Sequence, residues 1–310
     1  MDDDDLPTID WEALSSAHVF ANGKGGVGKT TLSSNFAGLV AADGGRVLLI
    51  DVNAQGNIGR DLGYRKTAID DNGESLFESL RTGTPLKPIA GVRSNLDVVV
   101  GGTALKSAPA MLMTAYPLQQ ERQALALATC LAPIARDYDI VVIDSAPENE
   151  HLQQIALSAA RWLTIPTKSD QASIADGLGG IAKEAGRVRR RVNPHLQLLG
   201  VVMFATGSAS AQIRRRAQQW IRDELGANAD TYLFESFIRH SEAVGQDARS
   251  HGRLVHELEA AAANNPRFWD LRAGRVSNTT VVSATSASVA EDLAAFAREL
   301  LTRAAELDNA

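Results

Sequence analysis

The segment Gly23-Lys24-Gly25-Gly26-Val27-Gly28-Lys29-Thr30 constrains this chain more than any other stretch. It satisfies G-x-x-x-x-G-K-[ST], a phosphate-binding loop that follows a strand and opens a helix. The apolar run 17–21 predicts the strand. Leu32, Phe36, Leu39 and Val40 recur at helical spacing and predict a helix over 30–42, stopped by Gly44-Gly45. Glycines let backbone N–H groups crowd around phosphate oxygens where a side chain would hold them off. Lys29 then reaches the outer phosphates, and the Thr30 hydroxyl is placed for Mg²⁺. Gly25, Gly26, Val27, Gly28 and Thr31 complete the cradle. Lys24 has no task in that scheme. A second cation inside the loop points to another nucleotide, on another subunit.

Apolar strand candidates recur at 46–50, 96–100, 139–143, 161–165 and 197–204, separated by helical stretches at 117–136, 150–160, 171–191 and 209–225. This alternation predicts an α/β fold: a P-loop NTPase with a central, mostly parallel twisted sheet and helices on both faces. Ligands bind such a sheet at the carboxyl ends of its strands. The 310 residues contain no repeat or low-complexity linker. They read as an acidic lead-in over 1–16, with a short helix at 11–14, and one domain over 17–310. Residues 63–95 look like a turn-rich excursion. Residues 264–284 read as a polar insertion before a final helix at 286–306.

Two further strands end in carboxylates. The run 138–147 is a buried strand closing on Asp144-Ser145-Ala146-Pro147. Its aspartate suits a Mg²⁺ site, although strand-end aspartates also cap turns. The run 47–57 ends in Asp51-Val52-Asn53-Ala54-Gln55-Gly56-Asn57. Residue types alone leave Asp51 open between a phosphate-site carboxylate and a capping turn.

Together, the lysine-bearing loop, Asp51-x-Asn53-x-Gln55-Gly56-Asn57 and Asp144-Ser-Ala-Pro147 resemble the deviant Walker A ATPases of the ParA/MinD group. Ile165-Pro166-Thr167 with Gly177-Leu178, Gly200-Val201-Val202, and the segments 237–243 and 250–253 resemble the ParA branch. The resemblance covers roughly 17–260. It implies a homodimer sandwiching two ATP molecules, with Lys24 reaching across to the partner's phosphates. Lys24, Lys29, Asp51 and Asn53 become the catalytic set; Thr30, Asp51 and Asp144 become the Mg²⁺ residues; Phe237 and Arg239 become nucleotide contacts. It also implies slow ATP hydrolysis stimulated by a ParB-like activator, and sequence-independent binding of double-stranded DNA by the ATP dimer. One residue departs from the pattern: the usual second aspartate of the 51–57 motif is Asn53. An amide cannot take a proton from water near neutral pH, so slow turnover or an ATP-gated scaffold with little hydrolysis follows as an expectation.

The net charge of −6 excludes a wholly basic nucleic-acid coat, yet two basic clusters stand out. Arg187, Arg189, Arg190 and Arg191 end one helix; Arg214, Arg215, Arg216 and Arg222 lie on the next. Each is open to two readings, phosphate contact or a solvated helix face. The tail 289–308 is acidic as well as amphipathic, which argues for a helix docked on the sheet over a MinD-like membrane anchor. A single cysteine, Cys130, excludes a disulfide framework and an iron–sulfur ligand set. His240, His251 and His256 lack metal-ligand spacing. With Asp2–Asp5 at its start and no long apolar run, the chain reads as cytoplasmic, and nucleoid-associated through DNA.

Overall fold

The computed structural model describes residues 6–147, 149–206, 211–226, 229–262 and 285–309. Its strands are β1 (Ala17–Phe20), β2 (Val47–Val52), β3 (Ile89–Arg93), β4 (Leu96–Val99), β5 (Ile140–Ser145), β6 (Trp162–Thr167), β7 (Gln197–Thr206) and β8 (Leu233–Arg239). They form one eight-stranded sheet in the order β3-β4-β2-β5-β1-β6-β7-β8. Every pairing is parallel except β3 against β4. The chain leaves β1 toward β2 on one side and leaves β5 toward β6 on the other. The paths diverge at adjacent strands, opening a crevice above their carboxyl ends.

The central strands are buried on both faces, so they read as continuous Val/Ile/Leu runs. Side chains alternate across the sheet and sort into two cores. Val19, Leu48, Ile50, Val141 and Ile143 pack on one face with the helices Ala126–Ala135, Glu150–Ser158 and Gln171–Arg191. Phe20, Leu49, Val142 and Val202 pack on the other, with Leu32 and Phe36 of the helix Lys29–Ala42. The helix Ser286–Asp308 closes this second face, burying Val289, Leu293, Phe296 and Leu300 beside Phe20 and Phe234. Burying each such side chain contributes about 1.5–3 kcal/mol, which accounts for the docked helix that the tail's pattern predicts.

Several details differ from expectation. The stretch expected as one helix at 117–136 is two, Gln120–Ala124 and Ala126–Ala135, and a further helix, Ala108–Ala115, precedes it. Pro117 and Leu118, the latter at φ 65°, make the turn between Ala108–Ala115 and Gln120–Ala124. The excursion at 63–95 holds the helix Glu74–Thr82 and the edge strand β3. Position 11–16 is a series of hydrogen-bonded turns, and Ile9, Ala13 and Leu14 are buried in the core, with Asp10 and Glu12 paired to Arg136. The polar stretch 264–284 and Asp2–Asp5 lie outside the described residues. Among the described residues, no helix is long and apolar enough to cross a membrane.

Candidate functional site

Strand register brings the two carboxylates together. Asp51 pairs with Asp144, and Phe20, the last residue of β1, pairs with Asp144 on its other side. Asp51 shares the parity of Leu49, and Asp144 that of Val142, so both project toward the face covered by the helix Lys29–Ala42. That helix presents Thr30, whose hydroxyl donates to Asp144 Oδ2 at 2.7 Å. The backbone N–H of Ile58 donates to Asp51 Oδ2 at 3.2 Å. The other oxygens, Asp51 Oδ1 and Asp144 Oδ1, are buried with no partner. Burial, reinforced by the charge of Asp144, raises Asp51 well above the carboxylate range. Burial pushes Asp144 up to about 7 against the opposing pull of the Thr30 hydroxyl and Lys29. Two buried acceptors that resist ionising together, beside a threonine hydroxyl, fit a hard divalent cation held directly or through water.

The loop itself has the form the motif requires. Gly26 and Gly28 take φ of 70° and 94°, and Gly28 opens the helix with no side-chain cap. The first helical N–H groups are therefore left for an anion. A Cβ on Gly28 would lie 2.4 Å from the Phe204 ring, so this close approach needs glycine as much as the backbone angle does. Lys29 is buried, and its ammonium donates to the carbonyls of Asn22 and Lys24 at 3.1 and 2.7 Å. Above this loop lies a cavity of about 440 Å³ lined by Gly25, Gly26, Gly28, Lys29, Thr30, Thr31, Asn53, Gln55, Asn57, Arg60, Asp61, Pro147 and Arg249.

Lys24 turns to its own chain. Its ammonium donates to the carbonyl of Ala172 and lies 3.1 Å from Asp176 on the helix Gln171–Arg191. That helix comes close because residue 177 is glycine: a Cβ there would meet Asn22 Oδ1 at 2.6 Å. Asn22 in turn fixes the loop's entry, accepting from Lys24 N–H and donating to Pro166 O.

A second cavity, about 490 Å³, adjoins the first and shares Gly26, Gly28, Thr31, Asp61 and Arg249 with it. Lys168 and Phe204 line it beside Gly26 and Gly28, and Ile238, Val244, Leu254 and Leu293 line it together with Arg239, His240, Ser241 and Arg253. Its size and its apolar side chains suit a base and ribose. Arg239 is there as expected, held by Asp292 through its backbone N–H and guanidinium. Phe237 is not in this cavity. It has the opposite parity to Ile238, faces the other side of the sheet, and carries the Arg214 guanidinium over its ring at 4.5 Å. Phe204 is the aromatic ring that the cavity contains. Asp61, which sequence reading also missed, accepts from Ser34 Oγ at 3.0 Å, and burial pushes it up to about 6.

The basic clusters do not form one patch. The helices Gln171–Arg191 and Ala211–Leu225 both follow parallel strands, so both run from the nucleotide edge toward the opposite edge. Arg214, Arg215 and Arg216 start one helix; Arg187, Arg189, Arg190 and Arg191 end the other, roughly 20–25 Å further down. Arg215, Arg216, Arg189 and Arg190 are exposed, whereas Arg214 is half-buried and Arg187 lies 3.5 Å from Glu184. Among the described residues no cluster of three His, Cys, Asp or Glu forms a separate metal site.

The fold and this cleft define a P-loop nucleotide-binding protein. A family described as AAA domain matches residues 16–198. The chromosome partitioning protein ParA of Myxococcus xanthus is 29% identical over 195 residues, 62% of this chain and 66% of that protein. The sporulation initiation inhibitor protein Soj of Bacillus subtilis is 28% identical over 246 residues, 77% of this chain and 94% of that protein. A plasmid partition protein of Borrelia burgdorferi, solved with AMPPNP, superposes with a TM-score of 0.65 at 16% identity, covering 93% of this chain and 99% of that one. The chain belongs to the ParA/MinD-type family of ATPases.

Proposed function

We propose that this chain is an ATP-switched partition ATPase that dimerises around ATP and Mg²⁺, binds DNA without sequence preference, and moves or spaces a DNA cargo. The observation that carries this reading is a complete phosphate cradle with a surplus lysine, Lys24, on its rim.

Lys29 and the loop N–H groups bind the phosphates; Thr30, Asp51 and Asp144 would hold the Mg²⁺, which neutralises charge on the outer phosphates. Asn53 lines the same cavity. The Lys24–Asp176 pair is partly exposed, with side-chain accessibilities of 31% and 72%. Such a pair contributes about 0–1 kcal/mol, less than a polyphosphate offers. Lys24 can therefore leave Asp176 and engage nucleotide across a dimer interface. ATP binding and dimerisation then become one coupled equilibrium, and loss of the γ-phosphate resets it. Cytoplasmic placement on the nucleoid and control by a ParB-like activator belong to the same reading. So does the domain division into a short lead-in and one ATPase unit.

Phosphates of DNA would be met by Arg215 and Arg216, exposed at the nucleotide edge, or by Arg189 and Arg190 at the opposite edge. Fluorescence anisotropy on a random duplex, with ATP or ADP and at several salt concentrations, tests this. Arg215→Glu/Arg216→Glu is expected to abolish ATP-dependent binding and leave dimerisation intact. Unchanged affinity and salt slope in this variant and in Arg189→Glu/Arg190→Glu would reject these arginines as the DNA contact, and no ATP-dependent binding by wild type would reject DNA as the ligand. Asn53 favours a second reading, a positioning scaffold that binds ATP and hardly turns it over; single-turnover hydrolysis beside Asn53→Asp separates the two.

A further inference from the structure

The side chain at position 53 supports an inference that rests on the ATPase reading and deepens it. Asn53 is 4% exposed, and its Oδ1 accepts the backbone N–H of Gln55 at 2.9 Å. Only the oxygen of an amide can accept from an N–H, so this bond sets which way round the amide sits. Nδ2 is thereby turned away from Gln55, and it has no acceptor among the described residues. Asn53 lines the cavity above the loop, so this donor belongs to that cavity's wall.

The loop that carries Asn53 is held still. Gly56 N–H donates to the Asn53 carbonyl at 3.0 Å. The Arg65 guanidinium donates to the carbonyls of Gln55 and Gly56 at 2.8 and 3.2 Å. The donor at position 53 is thus aimed before any ligand arrives. Its place along the cleft follows from the two cavities. Gly28, Thr31, Asp61 and Arg249 line both and mark the junction, where the phosphate nearest the ribose belongs. Asn53 lines the phosphate cavity and not the base cavity, as Lys29 and Thr30 do.

We propose that Asn53 Nδ2 donates a hydrogen bond to an oxygen of the terminal phosphate, so that this position selects a nucleoside triphosphate over a diphosphate. An aspartate in the same loop would keep the Gln55 bond through one oxygen. It would turn its second oxygen, a negatively charged acceptor, to the same place. Asn53 is therefore a triphosphate-reading residue, and its exchange for a carboxylate reverses the sign of that contact.

Dissociation constants for AMPPNP and for ADP, both with Mg²⁺, test this on the full chain by calorimetry. Wild type is expected to prefer AMPPNP. Asn53→Ala should weaken AMPPNP by about tenfold and leave ADP unchanged, the value of a hydrogen bond to a charged group. Asn53→Asp should weaken AMPPNP further, again sparing ADP, whose unchanged affinity shows that the cradle is intact. The proposal is overturned if both variants keep the wild-type AMPPNP-to-ADP ratio, or if both nucleotides weaken equally. Lys29→Ala should lose both nucleotides, which checks the ATPase reading separately. Wild type that binds no AMPPNP overturns both.

Discussion

The two halves of the cleft are assembled in different ways. The phosphate half comes from one continuous loop, 23–30, and two strand ends whose carboxylates are register partners. The base half draws on Lys168 after β6, Phe204 in β7, Arg239 in β8, Arg249 on a later helix and Leu293 on the last one. The first half is therefore fixed by one turn and by the register of adjacent central strands. The second depends on four or more elements packing correctly, and on Asp292 reaching back to Arg239. Removing the loop's buried lysine should abolish binding, and substitutions in the second half should tune it.

The largest effect on binding is expected at Lys29. Its replacement by alanine removes a buried ammonium from the phosphates and should cost about 3 kcal/mol, at least a hundredfold in ATP affinity. A variant that binds ATP normally would break the comparison at its strongest point. The largest effect on the fold is expected from Phe296→Ala in the docked helix, far from the phosphates. It should destabilise the fold by about 3–5 kcal/mol in urea unfolding while ATP affinity at permissive conditions holds. Phe204→Ala belongs to the base half and should weaken ATP and ADP alike by about three- to tenfold, from lost aromatic contact. An effect confined to ATP would place Phe204 at the phosphates instead.

The smallest effect is a pH dependence. Asp144 is pushed up to about 7, and Asp51 is raised with it, so the metal-free fold favours their protonated forms. Raised carboxylates stabilise the fold fully below their ordinary value of 3.8, and that contribution is lost as pH climbs from there through about 7. A cation must displace those protons, so Mg²⁺ affinity should strengthen as pH rises from about 6 to 8. Calorimetry in buffers of different ionisation enthalpy reads the proton release directly. Flat affinity across that range would show that the carboxylates are already ionised.

The same contrast explains what the sequence disclosed. The loop and Asp144 stood out because a glycine-rich turn and an apolar strand ending in a carboxylate are patterns over adjacent residues, whereas residue types left Asp51 open and only the resemblance assigned it. Register then made Asp51 and Asp144 neighbours without further information. Phe237 was misplaced because its strand, β8, reverses face at every residue, and the arginine just after it does line the cavity. Phe204, Lys168 and Asp61 have ordinary side chains in ordinary positions, and only the packing of distant elements brings them to the cleft. The arginine clusters were visible as charge. Their separation was not, because it follows from two helices running the same way beside parallel strands.

The most direct measurement is the mass of the chain in solution by light scattering, with Mg²⁺ and either ATP or ADP, for wild type and Lys24→Gln. A switch built on Lys24 gives a dimer only with wild type and ATP, and monomer in the other three samples. A Lys24→Gln protein that dimerises with ATP as wild type does, or a wild type that stays monomeric, contradicts it.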